Sequence, residues 1–276
     1  MDLKALSEMP PWEWPEGAGD LFLEALRDSR LDESDRLIAA ELAGDCVVVN
    51  DKLFRTLLWI VGGSEESERL RARAAIALGP AFEYAYMDGF DDPDDMPISE
   101  GVFIEAHESL RRIFFDAETP KEVRRRVLEA SVRAPQDWHQ DAICGAYRST
   151  DDDWKLTAVF SMEYVRGFDE QILEALGSDN DDIQYQAVCA AGTWGLDAAW
   201  SLVSGIVTSE CEDKALLLAA IEAVACIRPR EAGVILVDLT QDEDEDIVEA
   251  AYEAMMMAEG PLAVEDSDEE DGDFLF

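Results

Sequence analysis

Apolar residues recur along the second half of the chain at helical spacing, and the pattern restarts at nearly fixed intervals. Between Pro120 and Glu259, five segments align on Val123, Trp154, Ile183, Ala215 and Ile247, which stand 31, 29, 32 and 32 residues apart. Four residues past each anchor come Val127, Ala158, Ala187, Ala219 and Ala251, and one further on Leu128, Val159, Val188, Ala220 and Tyr252. Apolar positions at i, i+4, i+5 and i+8 mark one face of a helix. Small residues at the i+4 site let neighbouring helices approach closely. Carboxylates and amides precede most anchors, at Asp151–Asp153, Asp179–Asp182, Glu212-Asp213 and Asp242–Asp246. Such residues cap helix starts and suit the positive end of the helix dipole. Breaks follow at Ala134-Pro135, Arg166-Gly167, Trp194-Gly195 and Arg228-Pro229, each with a second apolar helix after it, near 137–148, 168–176, 197–207 and 230–240. Two helices per unit at a period near thirty predict an α-solenoid. Five aligned units disfavour the alternative, an irregular bundle with coincidental spacing.

The first half follows the pattern less strictly. Residues 1–20 carry Met9-Pro-Pro-Trp-Glu-Trp-Pro, which disfavours helix and predicts an extended segment whose tryptophans cap the apolar end of the repeats or dock a partner. Helices are expected over Leu21–Arg27, from Asp32 to a C′ glycine at Gly44, and over Asp51–Val61, stopping at Gly62-Gly63. A longer one is expected over Glu65–Ala85, with Leu70, Ala74, Ile76 and Leu78 inward and a kink or break at Gly79-Pro80. An acidic loop, 88–97, then interrupts the chain before a helix over Gly101–Phe115 capped by Ser99-Glu100. The organisation is thus a cap at 1–20, repeats over 21–260 (irregular to 119, regular from 120) and a tail at 261–276, too acidic and too poor in apolar groups to order on its own.

The unit opening, an acidic pair followed by an apolar residue, two or three variable positions and Ala-Val or Ala-Ala, is carried by Asp181–Val188 and Asp244–Tyr252. It resembles the HEAT-like repeat, in the short form found in phycobilisome lyases. The resemblance covers about half of the chain well and 32–118 less regularly. It implies an all-α fold, an α-solenoid of HEAT-like helical hairpins wound as a right-handed superhelix. It also implies that second helices line a concave surface that binds protein partners.

Charge constrains the reading more than composition does. The chain of 276 residues carries 22 basic and 63 acidic residues, a formal net charge of −41. Removing the seven carboxylates of Glu265–Asp273 leaves −34, so the body itself is acidic. Nucleic acid and anionic membrane are repelled by such a surface. DNA glycosylases built on similar repeats need a basic groove, which argues against that activity here. The charge reads as a solvated surface, in a salt-adapted organism for instance, or as a match to a basic protein partner, or as DNA mimicry. No apolar run reaches eighteen residues, and the N-terminus lacks a basic start followed by an apolar stretch, so neither a membrane span nor a secretory signal is expected. The five cysteines, Cys46, Cys144, Cys189, Cys211 and Cys226, form no C-x-x-C; reduced thiols in a cytoplasmic protein are expected, with Cys189 and Cys226 acting as small hydrophobes on helical faces.

Candidate chemistry is sparse. Trp138, His139, Gln140, Tyr147, Glu170, Glu174 and Trp200 fall on second helices and are the candidate partner-binding set; ordinary packing between repeats is the alternative for both tryptophans. Asp88, Asp91, Asp92, Asp94 and Asp95 offer oxygen ligands to a hard cation such as Ca²⁺, without EF-hand spacing; a solvated acidic insertion is the other reading. Di-iron hydroxylases built on HEAT repeats need several facing His-Glu pairs, whereas this chain has two histidines, His107 and His139. His107 is therefore placed on a polar face. Arg124-Arg125-Arg126 is expected to pair with carboxylates of adjacent units, with a small-anion site as the lesser option. No nucleophile elbow, phosphate-binding glycine loop or zincin motif is present. These readings predict a non-enzymatic protein-binding scaffold or adaptor with no cofactor. The alternatives are an enzyme subunit related to bilin lyases, a divalent-metal-binding protein, and an acidic decoy for a basic nucleic-acid-binding protein.

Overall fold

Four of the five regular units start where a short polar side chain closes the first turn. Asp151, Asn180, Asp213 and Asp244 are the N-cap residues of successive first helices, and each accepts a hydrogen bond from a backbone N–H two or three residues on. Two of the breaks use glycine with positive φ, Gly167 at 97° and Gly195 at 54°. At the latter, the Leu196 N–H reaches back to the Ala191 carbonyl and closes the end of the helix.

The structure is a computed structural model and describes residues 3–92, 96–209, 211 and 213–260. Among these residues it contains fifteen α-helices and no strand, an all-α helical repeat fold. None of the helices is long and apolar enough to cross a membrane. The chain divides into two compact units, residues 1–146 and 147–276.

In the first unit, α1 (Leu3–Ser7), α3 (Glu33–Leu42), α5 (Glu68–Asp88) and α7 (Lys121–Ser131) pack in succession as one layer. The second layer holds α2 (Ala18–Arg27), α4 (Asp51–Gly62) and α6 (Glu100–Phe115). The helical-hairpin pattern therefore extends through the half that looked irregular. Its core is built from large side chains, Phe22, Phe54 and Phe82 among them, all fully buried. The helix α8 (Asp137–Tyr147) ends the unit.

Several local expectations change. Residues 1–20 are not simply extended, since α1 and a 3₁₀ turn at Pro11–Glu13 lie within them. Trp14 caps this end by donating its indole N–H to the Leu6 and Met9 carbonyls and standing edge-on to Phe22, whereas Trp12 is exposed. Pro80 does not break α5, which runs through it. Pro80 and Ile76 share an exposed face, so the N–H that proline lacks falls on the solvent side of the helix. Ile76 accordingly points outward, 43% exposed. Gly44 has no positive φ; a Cβ there would lie 2.2 Å from the Ala77 carbonyl oxygen, so the residue is small because α3 and α5 touch backbone to backbone.

In the second unit, α9 (Asp152–Ser161), α11 (Asp181–Thr193), α13 (Lys214–Ile227) and α15 (Glu245–Glu259) stack as the layer of first helices. The second helices are α10 (Asp169–Ala175), α12 (Trp200–Thr208) and α14 (Pro229–Leu236). The seam is made of small residues, and a Cβ on Gly192 would lie 2.9 Å from that of Ala223. The repeat frame shifts by one in α13, where Leu216, Ala220, Ile221 and Val224 are buried while Ala215 is exposed. Tyr252 in α15 is exposed as well.

Candidate functional site

The expected recognition residues fall in two places. In the first unit, His139 is fully buried and Trp138 is 8% exposed, so neither offers a face to a partner. The Gln136 backbone N–H donates to His139 Nδ1 at 2.8 Å, which puts the ring proton on Nε2, 3.0 Å from Ser131 Oγ. The Ser131 hydroxyl donates onward to the Leu128 carbonyl. Burial, then the neighbouring His107, lowers His139 to about 3. This is a neutral structural imidazole that closes a buried network, and its hydroxyl partner is committed to a carbonyl. Trp138 packs on Phe114 and Phe115, and its indole N–H bonds the Gln136 side chain. Gln140 is exposed. His107 is not on a polar face; it sits 4.6 Å from the rings of Phe82 and Phe103, and burial lowers it to about 4.

In the second unit, Tyr147 and Glu174 meet through Lys155, whose ammonium lies 5.0 Å from the tyrosine ring centre and 3.8 Å from the Glu174 carboxylate. The Tyr147 hydroxyl donates to the Gln171 carbonyl, and burial pushes its pKa up. Glu170 is exposed. Trp200 is half-buried under the guanidinium of Arg228, which Asp197 holds in place.

The remaining candidates gather no site. Asp88 ends α5, and Asp91 and Asp92 are exposed, while Asp94 and Asp95 lie outside the described residues, as does the tail. Among the described residues, no group of three His, Cys, Asp or Glu side chains is placed to hold a metal ion. Arg125 and Arg126 pair with Glu122 and Glu129 of their own helix, at three- and four-residue spacing. Arg124 donates to the Phe114 carbonyl.

A different feature stands out, on first helices rather than second ones. A groove of about 630 Å³ crosses the outer face of α11, α13 and α15, larger than the other cavities described, which measure 290 to 340 Å³. Its floor is small and apolar: Gly192, Ala215, Ala219, Ala223, Ala250 and Ala254. Its rim carries Glu163, Glu222, Asp246, Glu249 and Glu253, and among the described residues no lysine or arginine lines it. Lys214, just outside, holds Asp246 at 2.6 Å. Tyr185 and Cys189 sit at the Glu163 end.

The thiols do not behave as core hydrophobes: Cys226 is exposed, Cys189 half-buried, and both line the groove. Burial, reinforced by Glu163, pushes Cys189 up to about 11, and burial with Glu222 raises Cys226. Both therefore stay protonated at neutral pH, a poor state for a nucleophile. The Tyr185 phenol is raised first by Cys189, then by burial, with Glu163 and Glu222 contributing. The groove is thus a region of negative potential over an apolar floor, suited to holding a cation with an apolar body. One sequence signal pointed here. The run Ala215–Ala220 is apolar beyond the width of a single core stripe, which shifted the apparent frame and left Ala215, Leu218 and Ala219 facing the groove.

No protein-family model matches this chain, and no curated protein matches it either. Solved structures do. YibA of Escherichia coli is 16% identical, with 89% of this chain and 84% of that one covered and a TM-score of 0.45. An engineered protein is 17% identical, over 75% of this chain and 96% of its own, at a TM-score of 0.43. Human deoxyhypusine hydroxylase, solved with glycerol, is 16% identical over 90% of this chain and 87% of its own, at 0.40. These likenesses concern the fold alone. They correct the expectation of a non-enzymatic scaffold: a hydroxylase is among the similar helical folds, so helical repeats do not separate binding proteins from enzymes.

Proposed function

We propose that the second unit binds a cationic polypeptide segment along the α13 groove. The observation that carries this reading is the lining itself, five carboxylates, Asp246 among them paired with Lys214 just outside, around a floor of alanine and glycine. The net charge of −41 adds long-range attraction for cations and repels nucleic acid and anionic membrane. Apolar contact with the floor supplies what charge alone does not, since exposed ion pairs contribute only about 0–1 kcal/mol each. The unit openings at Asp181–Val188 and Asp244–Tyr252 support kinship with the short, phycobilisome-lyase type of HEAT-like repeat. Five free cysteines fit a reducing, cytoplasmic setting.

The test is binding of a fluorescein-labelled Lys/Leu/Ala peptide, followed by anisotropy at near-physiological salt. The variant E222Q/E249Q/E253Q is compared with D20N/E24Q/E100Q, which removes the same charge from exposed sites in the first unit. The groove variant is expected to lose about tenfold or more in affinity, about 1.4 kcal/mol, and the control less than about twofold. Equal losses in both would assign the binding to the diffuse field and end the groove reading.

A further inference from the structure

We infer that the partner segment occupies this groove as an amphipathic α-helix of about three turns, laid along α13 with its basic side chains toward the rim. The inference rests on the reading of the groove as a site for a cationic segment, and it specifies the form in which that segment is held.

Backbone chemistry is the first reason. An extended peptide brings an N–H and a C=O per residue into the groove, and each needs a partner. The lining supplies acceptors in its carboxylates. For donors it has little besides the Tyr185 phenol, the Thr193 hydroxyl and two thiols; no asparagine, glutamine, lysine or arginine faces in. The walls are helices whose own amides are spent in their i→i−4 ladders. Carbonyls of a strand pressed on the alanine floor would go unsatisfied, at about 1–3 kcal/mol each. A helix brings its backbone bonds with it.

Shape and length agree. The floor helix lines the groove from Ala215 to Cys226. At about 1.5 Å rise per residue this is about 16 Å, three turns of a matching helix. Alanines at 219, 223, 250 and 254 keep the floor low, so that another helix can reach the usual interaxial separation of about 8–10 Å. Met257 at the far end is an adaptable apolar stop.

Charge spacing completes the fit. Glu249 and Glu253 are one turn apart on α15, and Glu222 projects from α13 beside them. A partner helix with cations at i and i+4 presents charge at the same interval as the two α15 carboxylates, while an alternating strand does not.

Two fourteen-residue peptides of identical Lys/Leu/Ala composition separate the possibilities, one patterned at helical period and one strictly alternating. The helix-period peptide is expected to bind at least about tenfold more tightly and to gain far-UV helical signal on binding. Ala219→Trp and Ala250→Trp, each at a half-exposed floor position, are both expected to abolish that preference. If the alternating peptide binds as tightly, or the helix-period peptide binds without gaining helix, the inference is overturned; the groove reading survives in that case if E222Q/E249Q/E253Q still weakens binding. Failure of both peptides to bind overturns the two together.

Discussion

The two units solve the same packing problem with different materials. The first fills its layers with phenylalanines and buried polar groups. Arg36 reaches Glu66 at 2.6 Å and the Leu26 carbonyl at 2.9 Å, and His139, Ser131 and Gln136 close an internal network. The second fills its seam with alanine, valine and isoleucine and caps each of its first helices with a polar side chain. Large side chains consume the faces they touch. Small ones leave α13 with apolar surface to spare, and the groove is that surplus.

The sharpest way to test this contrast is one substitution made in both halves. Gly44→Ala drives a Cβ to within 2.2 Å of a backbone oxygen that cannot move without moving α5, whereas Gly192→Ala meets the Ala223 Cβ at 2.9 Å and its Cα at 3.0 Å. Overpacking typically costs about 1–3 kcal/mol, and the first substitution is expected at or above that range and the second within it. Urea denaturation of each variant measures this; a larger loss for Gly192→Ala would reverse the ranking and with it the claim that the first unit is the more tightly closed at its glycine.

Next in size comes pH. Unfolded histidine titrates near 6.5, and folding lowers His139 to about 3 because it is buried. The unfolded chain therefore takes up the proton first. The stability tied to a neutral His139 is intact above pH 6.5 and falls below it, by up to about 1.4 kcal/mol per pH unit, until the folded-state value is reached. His139→Gln removes that slope, so comparing the two midpoint-versus-pH curves between pH 7 and 5 isolates it from the carboxylates. With two histidines in the chain, NMR also follows each ring directly, and neither is expected to titrate above pH 5.

The smallest effect belongs to the caps. Asp213→Ala leaves the Ala215 and Leu216 N–H groups without their acceptor and is expected to cost about 1 kcal/mol. Asp32→Ala, at a helix start in the first unit where the side chain makes no capping bond, is expected to cost much less. Similar losses at both would mean that the capping bonds of Asp213 add little to the charge it places at the helix start.

Much of the fold was legible because helix starts and seams are local matters. Asp151, Asn180, Asp213 and Asp244 announce their helices in one dimension, and Ile183, Ala187 and Val188 share a face by spacing alone. The repeat in the first half was obscured by α5 and α6, which are longer than their counterparts, and by a proline that the exposed side of α5 tolerates. The candidate site was less legible. His139 looked like a recognition residue by type, and only the packing of Ser131 and Gln136 around it shows that its ring is consumed internally. The groove was hidden for the opposite reason: alanines attract no notice, and the carboxylates at its rim are a few among 63 acidic residues.

The burial of both imidazoles has a consequence for the molecule as an ion. Carboxylates ordinarily titrate near pH 4 and lysines above 10, and the two imidazoles, which would usually change charge near neutrality, are held neutral by packing. From about pH 5.5 to 7.5 the polyanion hardly alters its valence. Acidification within that window would leave its attraction for a cationic helix almost untouched, while a rise in ionic strength, which shortens the reach of every carboxylate at once, would weaken it.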